Sequence, residues 1–367
     1  MASVSADSPD WASLPGHLLD SIVEKLIDLP DFIRFAVVCK PWFCAATMNN
    51  QQKQQHRGLL AHKQIPMLMV PSSDPKDNNS DGEGQVKRGL YSITRGELYD
   101  FQLSLPYKKR FCGSSHGWLA AVEDNYAITL INPFSRVSPI TLPPLRQVEL
   151  GIHQEYEYYV DKVVLSADPY LSPDSYQAAT IFSGFSLVAF IKSGDKAWTY
   201  ISKDQLTLAA DIIYHESHFY VLDYRHRLTK IKSFSGTVEL EAIIKKPNRR
   251  HPTQKSYLVI GGGLLTVQRF LKEKDHEFQD VTWYFKVYKL NRSSSQCHPI
   301  WVEIENIGGD ALFLGDNYSF SLVAFQFPGC LPNSIYYTDN YNDVQGSKPL
   351  GPRDMETMIQ SDGKMET

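Results

Sequence analysis

The sequence predicts an α+β multidomain chain in which a small three-helix module precedes a much longer all-β region. Three observations predict it. Residues 14–48 are 60% apolar (21 of 35) against 43% for all 367 residues, and their apolar positions recur at helical spacing. From residue 65 the apolar residues fall instead into short runs separated by Gly, Pro, Asn and Asp. No amphipathic stretch of twelve residues interrupts those runs, which argues against alternating strand–helix units.

Composition bounds the function. Lys plus Arg number 37 and Asp plus Glu 41, a formal charge of −4. That balance excludes a strongly basic binder, since phosphate binding needs concentrated positive charge, so no nucleic-acid partner is expected. Aromatics at 12% make the chain too apolar to be disordered as a whole. The five cysteines (Cys39, Cys44, Cys112, Cys297, Cys330) are odd in number and lack CxxC spacing. They read as reduced thiols of an intracellular protein, with neither a disulfide framework nor a structural zinc site. The opening MASVSADSPDWASLP has no basic start and no apolar run, and no segment approaches the length of a membrane span. Neither a signal peptide nor a membrane partner is expected; residues 1–10 read as disordered.

The module occupies residues 11–50. Leu14, Leu18, Ile22 and Leu26 form one i, i+4 row and Leu19, Val23 and Ile27 the next, with Asp20, Ser21, Glu24 and Lys25 opposite. Pro15 suits the first turn, where a missing N–H costs nothing, and Leu29–Pro30 is the predicted breaker. Asp31 opens a second helix with Phe32, Phe35, Ala36 and Cys39 on one face. A third begins near Pro41 and carries Trp42 and Phe43. Three helices this short lack enough core to stand alone. Their surplus apolar surface predicts either packing on the rest of the chain or docking to partner helices.

A polar linker, residues 51–64, leads to the β region, 65–341. Its stretch 71–88 is almost wholly polar, Gly and Pro, and reads as an exposed loop. About twenty short strands in ~290 residues suit radial repetition, and a β-propeller of about six blades (range six to seven) fits repeats of roughly 40–50 residues. The pentapeptide SLVAF occurs at 186–190 and again at 321–325, a separation of 135 residues. Residues 342–367 form a polar tail or a poor closing strand.

Each chemistry-like motif has a plain reading beside it. Gly113-Ser114-Ser115-His116-Gly117 satisfies G-x-S-x-G, but a nucleophile elbow needs a helix after the serine, and GWLAAVE reads as strand. His116, next in sequence, would point to the opposite face of a strand and could not easily serve Ser115 as base. Gly261-Gly262-Gly263 lacks phosphate-loop spacing and reads as a turn. His215 and His218 lack a third ligand, so no metal is expected. Residues 245–251 (KKPNRRH) are the one compact basic run, read as a solvated loop or an import signal. Trp118, Trp198, Trp283 and Trp301 read as blade-packing residues, one or two of which could line a recognition surface.

The segment LPGHLLDSIVEKL…VVCKPWFCAA resembles the F-box motif, through Leu14, Pro15, Leu18, Leu19, Ile22, Leu26, Val38, Cys39, Lys40 and Trp42. Residues 109–145, 187–200 and 311–341 are similar to plant F-box proteins with a KIB-type β-propeller domain. The resemblance implies a substrate-receptor subunit of an SCF-type cullin–RING ubiquitin ligase. The F-box would bind a Skp-type adaptor, and through it a cullin, with Leu14, Pro15, Leu18, Leu19, Ile22, Leu26, Val38, Cys39 and Trp42 as adaptor-binding residues. The propeller would recruit a protein substrate, in the nucleus and/or cytoplasm. On this reading the chain is not an enzyme and needs no cofactor or metal. No residue is assigned to the substrate. The tail departs from the family, which ends on an apolar, aromatic strand where this chain has METMIQSDGKMET. The alternatives are a propeller scaffold acting outside any ligase, and a serine hydrolase using Ser115.

Overall fold

The fold is given by a computed structural model, which describes residues 11–23, 25–26, 31, 34–35, 38–47, 67–71, 88–92, 96–101, 110–133, 137–148, 156–206, 208–232, 237–243, 253–273, 280–292, 299–327, 329–337 and 356–359. The chain divides into two compact units. One comprises Met1–Val70, Gly89–Phe101 and Gln326–Gly329, and the other Pro71–Arg88, Gln102–Phe325 and Cys330–Thr367.

The first unit holds helices α1 (Gly16–Val23) and α2 (Lys40–Thr47). Helix α1 starts one residue later and ends earlier than its periodicity predicts. Pro15 lies just outside it, its carbonyl accepting the N–H groups of Leu18 (2.9 Å) and Leu19 (3.2 Å). At the far end the N–H of Lys25 bonds Ile22 (2.9 Å) and that of Leu26 bonds Val23 (3.2 Å), i→i+3 bonds that tighten the last turn before the Leu29–Pro30 pair is reached. Between the helices Asp31, Arg34 and Phe35 also have helical backbone, with Arg34 Nη1 3.0 Å from Asp31 Oδ1. The remaining predicted positions of that middle helix, Phe32 and Ala36 among them, lie outside the described residues, which contain two α-helices rather than three. A three-stranded sheet, β1 (Met67–Pro71), β2 (Arg88–Ser92) and β3 (Glu97–Phe101) in that order, falls almost wholly in this unit.

Among the described residues, the second unit holds five four-stranded sheets. The first four are simple meanders of antiparallel strands: β4 (Phe111–Ser115), β5 (Trp118–Val122), β6 (Ile128–Ile131) and β7 (Ile140–Leu142); β8 (Val160–Leu165), β9 (Gln177–Phe182), β10 (Leu187–Lys192) and β11 (Thr199–Tyr200); β12 (Ala209–His215), β13 (His218–Asp223), β14 (Arg227–Lys232) and β15 (Thr237–Ile243); β16 (Thr253–Ile260), β17 (Leu264–Glu273), β18 (Asp280–Asn291) and β19 (Ile300–Ile304). The fifth breaks the rule. Its strands β20 (Asp310–Leu314), β21 (Phe320–Val323), β22 (Ser334–Tyr337) and β23 (Glu356–Ile359) lie in the order β21-β20-β22-β23, with β20 and β22 parallel. The segment Glu356–Ile359 thus supplies an edge strand; the rest of 342–367 lies outside the described residues, as do 72–87 of the predicted loop 71–88, whose first and last residues instead belong to β1 and β2, and the basic run 245–251.

One edge strand of each sheet meets that of the next, in the succession β4, β8, β12, β16, β21. The sheets stack face to face, so middle strands such as β10 and β13 are apolar on both sides. In β10, Leu187, Ala189 and Ile191 enter the core shared with the preceding sheet, while Val188 and Phe190 enter the core shared with the next. In β13, Phe219 and Val221 face one way and Tyr220 and Leu222 the other. This explains the continuous apolar runs such as LVAFI: a strand buried on both faces has no polar side to alternate with. Each such side chain contributes roughly 1.5–3 kcal/mol on burial.

The two SLVAF copies do not occupy equivalent places. The first runs into β10, the third strand outward in its sheet, and the second spans the innermost β21 and a 3₁₀ turn. A different feature repeats. Register shifts fall at the start of four of the five inner strands, between Phe111 and Gly113, Val160 and Lys162, Ala209 and Asp211, and Thr253 and Lys255. Each is a β-bulge, which bends its strand and re-aims its side chains.

Candidate functional site

The helical module has a small core of its own. Leu19, Phe35, Ala45 and Ala46 are buried in it, and Leu14, Ile22, Val23, Leu26 and Trp42 pack around it. The Trp42 ring lies 4.5 Å from that of Phe35, and its Nε1 donates to the Trp11 carbonyl at 3.0 Å. The nine residues assigned from sequence to adaptor binding therefore separate into two groups. Leu19 is a core residue at 2% exposure, and Leu14, Ile22, Leu26 and Trp42 are partly buried against it. Pro15, Leu18 (43%) and Val38 (55%) are exposed, with Cys39 intermediate. Sequence periodicity placed Leu18 and Leu19 in adjoining rows and could not say which row faces inward. It also passed over Trp11, which is 61% exposed and precedes the periodic stretch.

The G-x-S-x-G segment is a hairpin. Ser115 is 6% exposed and its Oγ accepts the Leu165 N–H at 3.3 Å, while β5, a strand, follows it. His116 and Gly117 form the turn, both with positive φ (53° and 80°). Gly113 lies against the Val163 backbone so closely that a Cβ would collide with its carbonyl oxygen. Gly113 and Ser115 thus have packing roles and Gly117 a conformational one, and nothing there resembles an exposed nucleophile on a helix N-terminus.

Other motifs resolve similarly. Gly261–Gly263 is a tight turn between β16 and β17, with the Gly261 N–H bonded to the Gly263 carbonyl at 2.8 Å. His215 and His218 face each other across the β12–β13 hairpin, and among the described residues no His, Cys, Asp or Glu cluster is arranged to hold a metal. His153, His276 and Cys297 lie outside the described residues. Trp118 (Nε1 to Asp168 Oδ1, 2.9 Å) and Trp198 (Nε1 to the Pro143 carbonyl, 2.6 Å) are buried packing residues, whereas Trp283 is 44% exposed. Among the described residues no helix is long and apolar enough to cross a membrane.

A constellation that sequence reasoning missed lies where the inner strands begin. The bulges bring Asp161 and Lys162 (β8), Asp211 (β12) and Lys255 (β16) together with Arg110, just before β4, and Asp316, ahead of β21. Lys162 and Asp211 form a buried ion pair (Nζ to Oδ1, 2.5 Å), and Lys255 pairs with Asp316. Burial opposes the Lys255 charge, yet Asp316, with Tyr257 and Asp211 behind it, holds the ammonium above the ordinary lysine range. Arg110 Nη1 donates to the carbonyls of Val160 (2.7 Å) and Glu157 (3.2 Å). Asp161 is half-buried, and among the described residues its carboxylate takes no hydrogen bond. Burial pushes its carboxyl up to about 6, against the opposing pull of Arg110 and Lys255. No sequence signal marks this group, because its members come from five separate strands or strand approaches and a bulge is invisible to hydrophobic periodicity.

Comparison with known proteins places the chain. It is 26% identical to the F-box protein At4g35733 of Arabidopsis thaliana over 380 residues, covering 96% of this chain and 94% of that one. It is 25% identical to the F-box protein At2g26160 (91% and 97% covered) and 28% identical to the F-box protein At2g17036 (88% and 81%), both from the same plant. The family model described as the KIB1-4 β-propeller matches residues 90–358. With stacked meander sheets whose inner strands meet in succession, and a family match over most of its length, this chain belongs to the KIB1-4 β-propeller family.

Proposed function

We propose that the chain is the substrate-receptor subunit of an SCF-type cullin–RING ubiquitin ligase, acting in the nucleus and/or cytoplasm. Residues 11–50 are an F-box that docks a Skp-type adaptor, and through it a cullin. After the linker 51–64, residues 65–341 form a propeller of about six blades (range six to seven) that recruits a protein substrate. Ubiquitin transfer belongs to the other subunits, so this chain contributes position rather than chemistry: it raises the effective concentration of substrate near the charged conjugating enzyme.

One observation carries the reading. Among the described residues of the module, Leu19, Phe35, Ala45 and Ala46 are buried in its core, while Pro15, Leu18 and Val38 are exposed. Apolar side chains left outside so small a core suit helix-in-groove docking. The test is capture of a recombinant Skp-type adaptor by the full chain, wild type against the Leu18→Ala, Val38→Ala double variant. Interface anchors of this kind cost on the order of 2 kcal/mol when truncated, so capture should weaken at least about tenfold. Equal capture by both would falsify the docking surface as drawn.

A further inference from the structure

We propose that Asp161, carried on the β8 bulge at the start of the inner strands, is the anchor for an arginine or lysine side chain presented by an extended segment of a protein partner, with the exposed Tyr224 ring as its platform. The proposal rests on the reading of the β domain as a recruiting surface and names the chemistry it would recruit.

Geometry carries it first. The turns beside Asp161 are joined by backbone bonds: the Ala209 N–H to the Ser186 carbonyl, and the Tyr224 N–H to the Leu208 carbonyl, each 3.0 Å. They put Phe185 (41% exposed), Leu208 (44%) and Tyr224 (55%) on neighbouring turns of one rim. The Tyr224 phenol lies within electrostatic reach of Asp161, Lys255, Asp316 and Asp211. An aromatic ring within electrostatic reach of a carboxylate suits a guanidinium or ammonium, and the apolar neighbours suit the flanking residues of a peptide.

Charge bookkeeping points the same way. Lys162 is taken by Asp211, Lys255 by Asp316, and Arg110 donates to carbonyls. Asp161 is the member of the group whose carboxylate no described donor reaches. Its carboxyl is raised although Arg110 and Lys255 both oppose the rise, so the positive charge already present does not offset its desolvation. An incoming cationic donor supplies what is lacking, whereas an incoming carboxylate would add a second acceptor without a donor.

The test uses the full chain and four pools of nonapeptides, degenerate except for a central Arg, Lys, Glu or Ala. The Arg and Lys pools should bind about tenfold more tightly than the Glu and Ala pools, the effect of one charge-assisted hydrogen bond. Asp161→Asn should level the four pools. Tyr224→Ala, an exposed truncation, should weaken the two basic pools severalfold without reordering them. Equal binding of all pools, preference for Glu, or a basic preference that survives Asp161→Asn would each overturn the proposal. So would spermidine binding as tightly as the Arg pool, since the ligand would then be a small cation. Should Asp161→Asn fail to fold, the wild-type pool order and Tyr224→Ala still decide. Peptide binding does not require the adaptor: a chain that prefers basic pools but ignores the adaptor sinks the ligase reading alone, and a chain that captures adaptor but is indifferent to the pools sinks this proposal alone.

Discussion

Lys162 Nζ lies 2.5 Å from Asp211 Oδ1, with both side chains almost wholly removed from water. The same carboxylate accepts the Ile212 N–H at 2.8 Å through Oδ1 and the Leu258 N–H at 2.7 Å through Oδ2. One aspartate therefore ties β8, β12 and β16, the inner strands of three successive sheets. A buried pair of this kind is not a large net stabiliser against an apolar replacement of the same shape, but removing one partner leaves the other charged and buried. Lys162→Met should cost about 3–5 kcal/mol. Replacing both, as Lys162→Met with Asp211→Leu, should cost less than Asp211→Leu alone, though the two N–H groups lose their acceptor. Urea unfolding of the three variants checks it, and additive losses would show that the pair is not coupled.

Asp161 makes the opposite kind of contribution. Its folded carboxyl titrates near 6, above the 3.8 of the free side chain, so between those values the folded state holds more protons than the unfolded one. Stability then falls as pH rises through that window and stays reduced above it. Asp161→Asn removes the penalty. The variant should melt above wild type at pH 7–8, with the gap closing below about pH 4, as read by thermal unfolding across that range. A gap that is absent at neutral pH, or that widens in acid, would contradict the assigned burial. Retention of a carboxylate that weakens the fold at neutral pH is what a binding residue costs.

Trp42 and Leu18 should separate stability from docking. Trp42 packs on Phe35 and bonds the Trp11 carbonyl, so Trp42→Ala removes core contacts of the module and should destabilise it by about 2–4 kcal/mol. Leu18 is 43% exposed, and Leu18→Ala should change stability by no more than about 0.5 kcal/mol while weakening adaptor capture. Circular dichroism melts paired with the capture assay distinguish the two. Were Leu18→Ala to unfold the module as Trp42→Ala does, the exposed row would be core and the docking face would lie elsewhere.

Much of this architecture is legible in the sequence because it rests on local rules. Periodicity at Leu14, Leu18 and Ile22 gives α1, and the short apolar runs give the meanders. What is illegible depends on long-range register. The Leu18 and Leu19 rows differ by 100° of helix, and only the packing of Phe35, Ala45 and Ala46 decides that Leu19 turns inward. The repeat is not carried by identical residues, as the misplaced SLVAF pair shows, but by bulges at Phe111, Val160, Ala209 and Thr253, spaced 49, 49 and 44 residues apart. Those bulges assemble Asp161, Asp211 and Lys255, whose sequence neighbourhoods have nothing in common. The parallel pairing of β20 with β22 is likewise a crossover that no local signal announces.

The G-x-S-x-G segment offers a test of whether a catalytic-looking motif is a packing device. Gly113 sits where any Cβ would strike the Val163 carbonyl, which belongs to the next sheet's inner strand. Relief requires β4 and β8 to move apart, so Gly113→Ala should destabilise by about 1–3 kcal/mol, the cost of overpacking. Gly117 has open space around it but φ of 80°, so Gly117→Ala should cost about 1 kcal/mol through backbone strain alone. Ser115→Ala leaves the Leu165 N–H without its side-chain acceptor and should cost about 1–3 kcal/mol. For a nucleophile elbow the order would differ: Ser115→Ala would be near neutral for stability, since active-site serines are not held for packing, and a fluorophosphonate would label wild type but not the variant. Chemical unfolding of the three variants beside that labelling separates the readings. Losses at all three positions with no labelling identify Gly113 and Ser115 as the residues that let β4 and β8 approach, and Gly117 as the residue that lets the β4–β5 hairpin turn.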